Sequence, residues 1–407
     1  MNKQQWIAGL LAGFVICFSS GADWRQFRGP GGTGVSVETN LPTQWSEQEN
    51  IAWKVPLPGR GLSGPIVIGN RVVVTASTGY RQDRLHVFCF DTQTGKKLWQ
   101  RRFWSTGRTM THGKICPAAP TPASDGKRIF ATFSTNDVIC LDLEGNLQWL
   151  RGLTHDYPNA SNSLGMASSP IVVGDTFVYQ VENDSQSLAV GLNVDTGKNR
   201  WLIDRPKKAS WTSPVVLPAK DGEEEVLVLQ SGSGLHAYNP TSGDPLWSFE
   251  KGCSTIPSST IGGGLIITPS NGLTALRPVS VGSEPETVWQ DNRLGPATAS
   301  PLVYRDHVYT VNNVGVIKCA ELKTGELVWQ LRIKGPFSGT PVAADGHLYF
   351  FNEKGLGQVV KTGEKGELVG SGDLGEVILC SPAISNGAIY VRSDGHLWKI
   401  ASKSADK

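Results

Sequence analysis

Beyond residue 45 the chain reads as short apolar runs, each closed by a turn rich in Gly, Asn, Asp or Pro. That texture predicts β-strands joined by hairpins. No long stretch carries a 3.6-residue apolar period, so helix is expected to be scarce.

The runs recur as a unit. Each unit opens on a small residue and Pro, passes through an alternating strand and a turn into a second strand, and closes near D-x-x-T-G-x-x-x-W. The openings are Ser63-Gly64-Pro65, Thr121-Pro122, Ser169-Pro170, Ser213-Pro214, Ser258-Ser259, Ser300-Pro301, Thr340-Pro341 and Ser381-Pro382. Clear closing turns are Asp91 to Gly95, Asp195-Thr196-Gly197 and Thr324-Gly325. Unit five is degenerate, and unit seven has Leu368 near its expected tryptophan position. Unit eight stops near Ile400 without a last strand, yet Ile51-Ala52-Trp53-Lys54-Val55 looks like the tryptophan strand Leu327-Val328-Trp329-Gln330. Trp53, Trp99, Trp149, Trp201, Trp247, Trp289 and Trp329 thus form one ladder, seven of 13 tryptophans, at intervals of 40–52 residues.

A period near 40 residues with four short strands per unit predicts an all-β, eight-bladed β-propeller of four-stranded antiparallel blades. The N-terminal strand would complete the last blade and tie the two ends of the chain together. The expected organisation is a signal peptide at 1–22, an N-terminal extension at 23–44, one propeller over 45–401 and a disordered tail at 402–407. The ladder tryptophans are expected to dock neighbouring blades. Trp24, Trp45, Trp104, Trp211 and Trp398 lie outside the ladder and are the better candidates for a ligand-facing aromatic.

The first 22 residues carry Lys3, an apolar stretch from Trp6 to Phe18, and Ser20-Gly21-Ala22 ahead of a cleavage. They predict export to the periplasm or an equivalent envelope compartment. An uncleaved anchor and a lipoprotein using Cys17 are the competing readings. With the signal removed, no membrane span is expected. Lys and Arg number 38 against 36 Asp and Glu, with no block of like charge, so a nucleic-acid partner is not expected.

Cys89, Cys140 and Cys319 fall at one position before the closing turn, where other units carry Gly191, Ala237, Ala275 and Gly357. Their shared property is small volume, which makes the slot steric. Cys116, Cys253 and Cys380 lie near unit starts, too far apart around a ring for pairing to be expected. No C-x-x-C or H-E-x-x-H spacing occurs, and no metal site is expected. Gly29-Pro30-Gly31-Gly32-Thr33-Gly34 matches G-x-G-x-x-G but contains Pro and opens no helix, so it reads as a loop. No catalytic residues can be assigned.

Two long connections, 103–116 and 152–166, depart from the repeat. Both leave a tryptophan strand and enter the innermost strand of the next blade, so they should share one face near the channel mouth. They gather Arg108, His112, Lys114, His155, Asp156, Tyr157, Asn159 and Asn162, either as a polar recognition surface or as loops satisfying their own backbone.

The repeat, as in Asp91 to Trp99 and Asp195 to Trp201, resembles that of pyrroloquinoline-quinone (PQQ) propellers, which include quinoprotein dehydrogenases and BamB-like assembly factors. The opening Asp23-Trp24-Arg25-Gln26-Phe27-Arg28-Gly29-Pro30 and Leu57-Pro58-Gly59-Arg60-Gly61 are similar to planctomycete PQQ-repeat proteins. The resemblance implies either of two functions. One is a non-catalytic scaffold, monomeric within a complex, that binds other exported or envelope proteins and needs no cofactor. The other is a PQQ- and calcium-dependent dehydrogenase of alcohols or sugars, with a vicinal cysteine disulfide over the quinone and acidic and amide ligands to the metal. The chain has no adjacent cysteines, which favours the first.

Overall fold

A computed structural model describes residues 23–161, 164–219, 224–278 and 282–402. The expected signal peptide at 1–22, Asn162 and residues 403–407 of the expected disordered tail lie outside the described residues. Eight four-stranded antiparallel sheets follow one another around a ring. The first is built from Ile66–Ile68, Arg71–Thr78, Arg84–Asp91 and Lys97–Trp104. The others repeat that order, with inner strands starting at Ala123, Ile171, Val215, Thr260, Leu302, Val342 and Ala383. Blade 8 takes its outer strand from Ile51–Pro56, which pairs with His396–Ile400. Val55 lies opposite Leu397 and Trp53 opposite Lys399. Helix is confined, among the described residues, to one turn at Leu153–Asp156 and two 3-10 turns, and no helix is long and apolar enough to cross a membrane.

The burial pattern departs from simple alternation. Strands such as Thr176–Val181 are buried at every position, because each blade is covered on both faces by its neighbours. Alternation survives on the outer strands, as in Ile51–Pro56, where one edge of the blade stack meets solvent. Phe130 of blade 2 and Phe177 of blade 3 meet at 5.3 Å between ring centroids, an example of the apolar seams that hold blades together.

The ladder tryptophans lie at those seams. Each indole N–H of Trp53, Trp99, Trp149, Trp201, Trp289 and Trp329 donates to a backbone carbonyl in the next blade, respectively Thr92, Leu143, Val194, Pro240, Leu322 and Gly363. Trp247 clusters with Ile261, Ile266 and Leu276 of blade 5. The turn glycine lies under the indole face: at Gly197, with φ +66°, a Cβ would come within 2.7 Å of Trp149. Only glycine meets both conditions, positive φ and no side chain.

The small slot faces the blade's own tryptophan across the strand pair, Cys89 opposite Trp99 and Gly191 opposite Trp201. Burial pushes the Cys89 and Cys140 thiols up to about 12, so both are neutral space-fillers. Blade 7 corrects two expectations. Its slot residue is Val359 rather than Gly357, and the tryptophan position is Gly370 rather than Leu368. Blade 8 has no T-G turn for a tryptophan there to dock on, since its outer strand arrives from the N-terminus. Trp45 occupies the space instead, stacked on Phe351 at 5.5 Å and packed against Gly357 and Gly372.

In each blade the crossovers to the next blade and the hairpin between strands two and three share one face, here the crossover face. The first hairpin and the T-G turn occupy the opposite turn face. Residues 23–46 run along the turn face as a strap. Trp24 exchanges backbone hydrogen bonds with Val67 of blade 1 (2.9 and 2.8 Å), and Arg25 accepts from Ser124 of blade 2. Gly34 and Ser36 then bond to Ala343 of blade 7, and the Glu38 carboxylate accepts from the Asn386 and Gly387 amides of blade 8. The G-x-G-x-x-G stretch is part of this strap, with a 3-10 turn at Pro30–Gly32.

Candidate functional site

At the axis, the first residue of each opening dipeptide points its hydroxyl at the preceding blade. The Gly64 amide donates to Thr121 Oγ1, Thr121 to Ser169 Oγ, Ser169 to Ser213, Ser213 to Ser258, Ser258 to Ser300, Ser300 to Thr340 and Thr340 to Ser381. These bonds measure 2.9–3.1 Å and run blade to blade around the channel. The belt breaks once, at Gly64, where a Cβ would lie 2.9 Å from the Ser381 carbonyl. The sequence signal was present as the recurring Ser/Thr before Pro, but its reading stopped at small size. What it missed is the hydroxyl.

The belt lines a cavity of about 380 Å³ that opens on the crossover face. Phe27 of the strap contributes to its lining, while Leu62, Ile115, Leu164, Trp211, Ile256 and Leu379 supply apolar wall. Trp211 is fixed there by donating to the Gly165 carbonyl at 2.7 Å. Of the five described tryptophans outside the ladder it alone lines this cup. Trp24, Trp45 and Trp398 are buried in packing, and Trp104 is exposed under Arg84.

The two long connections do lie side by side on this face, joined by the His112 amide donating to the Leu164 carbonyl at 3.0 Å. Their candidate residues divide. His112 and Lys114 line the cup, and Lys114 Nζ reaches across to Glu353 of blade 7 at 2.9 Å. Asp156 is paired with Arg151 on the outer strand of blade 2, and the Tyr157 hydroxyl accepts from Asn199 on the outer strand of blade 3 at 2.7 Å, which holds both away from the axis. Arg108, His155 and Asn159 are exposed on the outer slope. The first connection is anchored by buried Asp137. Burial pushes its carboxyl up, opposed by hydrogen bonds from the Thr106 amide (3.0 Å) and the Thr106 and Thr135 hydroxyls (both 2.6 Å).

Exposed apolar side chains gather on the same face. Tyr80, Trp104, Met110, Leu164, Ile256, Val314 and Val377 all lie in its hairpins and crossovers or at their ends. Most of the remaining exposed large apolar residues sit on outer strands, such as Leu98 and Leu327.

The cup does not match the PQQ–calcium arrangement that the resemblance allows. Its described lining contains no Asp, Glu, Asn or Gln, and among the described residues no three His, Cys, Asp or Glu side chains converge as a metal site. Cys116 and Cys380, near the cup, are free thiols far apart in sequence.

In sequence, the family model described as outer membrane protein assembly factor BamB matches residues 26–216, 101–256, 168–336 and 279–364 in overlapping passes. No curated protein matches the chain. In structure it is similar to BamB from Moraxella catarrhalis (TM-score 0.62, 15% identity, covering 88% of this chain and 98% of that one). It is also similar to a europium-containing methanol dehydrogenase (TM-score 0.70, 13% identity, 92% and 90% covered). A third likeness is to the quinohemoprotein alcohol dehydrogenase of Comamonas testosteroni (TM-score 0.67, 13% identity, 94% and 81% covered). At these identities the structural likenesses speak for the fold, which scaffold and dehydrogenase share. The sequence match spans most of the chain, and with the eight blades and their tryptophan–glycine docking it shows that the chain belongs to the PQQ-repeat propeller family of BamB-like proteins.

Proposed function

We propose that this chain is a non-catalytic, exported scaffold whose crossover face holds apolar segments of other envelope proteins. One observation carries the reading: seven exposed apolar side chains gather on the face where the hydroxyl-lined cup opens, and the cup wall offers no carboxylate. Two of the seven, Leu164 and Ile256, line the cup itself, and exposed apolar surface at a cavity mouth marks an interaction site. A partner segment entering the mouth would bury Leu164 and Ile256, and the belt hydroxyls could satisfy its backbone. Lys114 and His112 supply a polar edge that orients it.

The test places a photo-crosslinking residue at Ile256, with Leu98 on an outer strand as control, in the organism's own envelope. The expected result is a discrete adduct with an envelope protein from position 256, absent from position 98 and reduced several-fold by Leu164→Asp. Equal labelling at both positions would refute the assignment. So would alcohol-dependent reduction of an electron-accepting dye by the protein supplied with PQQ and Ca²⁺.

A further inference from the structure

Where the strap passes below the cup it buries a positive charge. Arg28, with φ +62°, is 1% exposed. Its Nη2 donates to the Ser259 carbonyl of blade 5 at 2.7 Å. Its Nε and Nη1 have no partner, and no carboxylate pairs with it among the described residues. Burial lowers its pKa only to about 10, and no other charged side chain contributes, so the guanidinium is protonated at neutral pH with no counter-charge, and it lies over the Phe27 ring at 5.1 Å. Of the other buried arginines, Arg205 is paired with Glu182 at 2.9 Å, while Arg392, also 1% exposed and without a paired carboxylate among the described residues, donates Nη1 to the Thr75 carbonyl and leaves Nε and Nη2 unpartnered.

The position is held deliberately. Unit five replaces the usual Pro by Ser259, whose amide and hydroxyl both donate to Gln230 Oε1 at 2.7 Å. That clamp fixes the carbonyl that Arg28 binds. Beside the guanidinium lies a cavity of about 10 Å³ lined by Arg28, Gly31, Gly32 and Ser213 and otherwise mainly by apolar side chains, among them Phe27 and Ile171. Space of this size admits roughly one water-sized particle. The Ser213 hydroxyl already accepts the Ser169 amide and has no acceptor for its own proton among the described residues.

We infer that this cavity is a binding site for one halide-sized monovalent anion, held by Arg28 Nε and Nη1 and by the Ser213 hydroxyl. An isolated buried cation is costly unless paired. Water could fill the space but would leave the charge uncompensated, whereas chloride neutralises it and takes all three donors. The anion would lock the strap to blades 4 and 5 across the turn face. This inference is independent of the scaffold reading.

The experiment uses the full mature chain, unfolded thermally in sodium chloride and in sodium gluconate at equal ionic strength. Chloride should raise the midpoint by roughly 2–5 °C over gluconate and then saturate, as expected for a ligand bound only by the folded state. Arg28→Gln should abolish the difference between the two salts. Should that variant fail to fold, crystals of the wild type grown in bromide should show an anomalous peak within hydrogen-bond reach of Arg28. Equal midpoints in both salts, a chloride response that survives in Arg28→Gln, or no bromide at Arg28 would overturn the site.

Discussion

Trp201 and Gly243 offer the sharpest test of how the ring is held. Trp201 is 7% exposed, its indole N–H donates to the Pro240 carbonyl at 2.9 Å, and a Cβ on Gly243 would lie 2.7 Å from the indole Cγ. Burying an indole removes about 200 Å² from water, worth at most about 5 kcal/mol at 25 cal/mol/Å². Trp201→Ala is therefore expected to cost about 3–5 kcal/mol, cavity included. Trp201→Phe keeps most of the apolar area but orphans the carbonyl, for about 1–3 kcal/mol. Gly243→Ala pays twice: about 1–2 kcal/mol for φ +79°, and about 1–3 kcal/mol for overlap with the indole. The double variant Trp201→Ala/Gly243→Ala removes the overlap, so its loss should fall short of the sum by about 1–2 kcal/mol. Urea unfolding followed by far-ultraviolet circular dichroism reads these values, with slope unchanged and midpoint shifted. Additivity within about 0.5 kcal/mol would refute the claim that the closing turn, Ser242-Gly243 in this blade, receives the tryptophan of the preceding blade.

Two further outcomes follow from the belt and the rim. Ser213→Ala strips the Ser169 amide of its partner and should cost about 1–3 kcal/mol, while Ser213→Thr, the residue used at 121 and 340, should cost less than about 1; amide exchange at Ser169 should accelerate only in the alanine variant. Glu376 is a pH-dependent contributor. Partial burial raises its carboxyl, but the Ser393 hydroxyl (2.6 Å), His396 and Lys54 outweigh that and hold it below its usual 4.5. A carboxyl lowered by folding stabilises above its unfolded value and loses that contribution as pH falls through the folded one. The wild type should therefore lose stability more steeply than Glu376→Gln as pH falls below about 4.5, measured as urea midpoints; parallel curves would refute the role.

The propeller was readable in the chain because its determinants are local and repeated. Trp149 and Gly197 announce a seam without any knowledge of the ring, since each blade must present the same docking parts to its neighbour. Closure through residues 51–55 followed from the same logic, one tryptophan strand too many at one end and one too few at the other. Blade 7 was misread at Leu368 and Gly357 because its partner surface differs: the next blade lacks a T-G turn and Trp45 comes from elsewhere in the chain to fill the gap.

The candidate site was legible only as a location. That connections 103–116 and 152–166 share a face follows from strand count and direction. Which side chains turn to the axis does not: His112 and Lys114 reach the cup, whereas Asp156 and Tyr157 are spent on Arg151 and Asn199. Nor could Ser213 or Arg28 be singled out, one a small residue before Pro and the other part of a glycine-rich leader. Their significance arises from convergence of residues some 40 to 230 positions apart. Periodic packing is written into neighbouring residues and survives in one dimension; the channel, its hydroxyls and its buried charge exist only once distant blades are brought around a common axis.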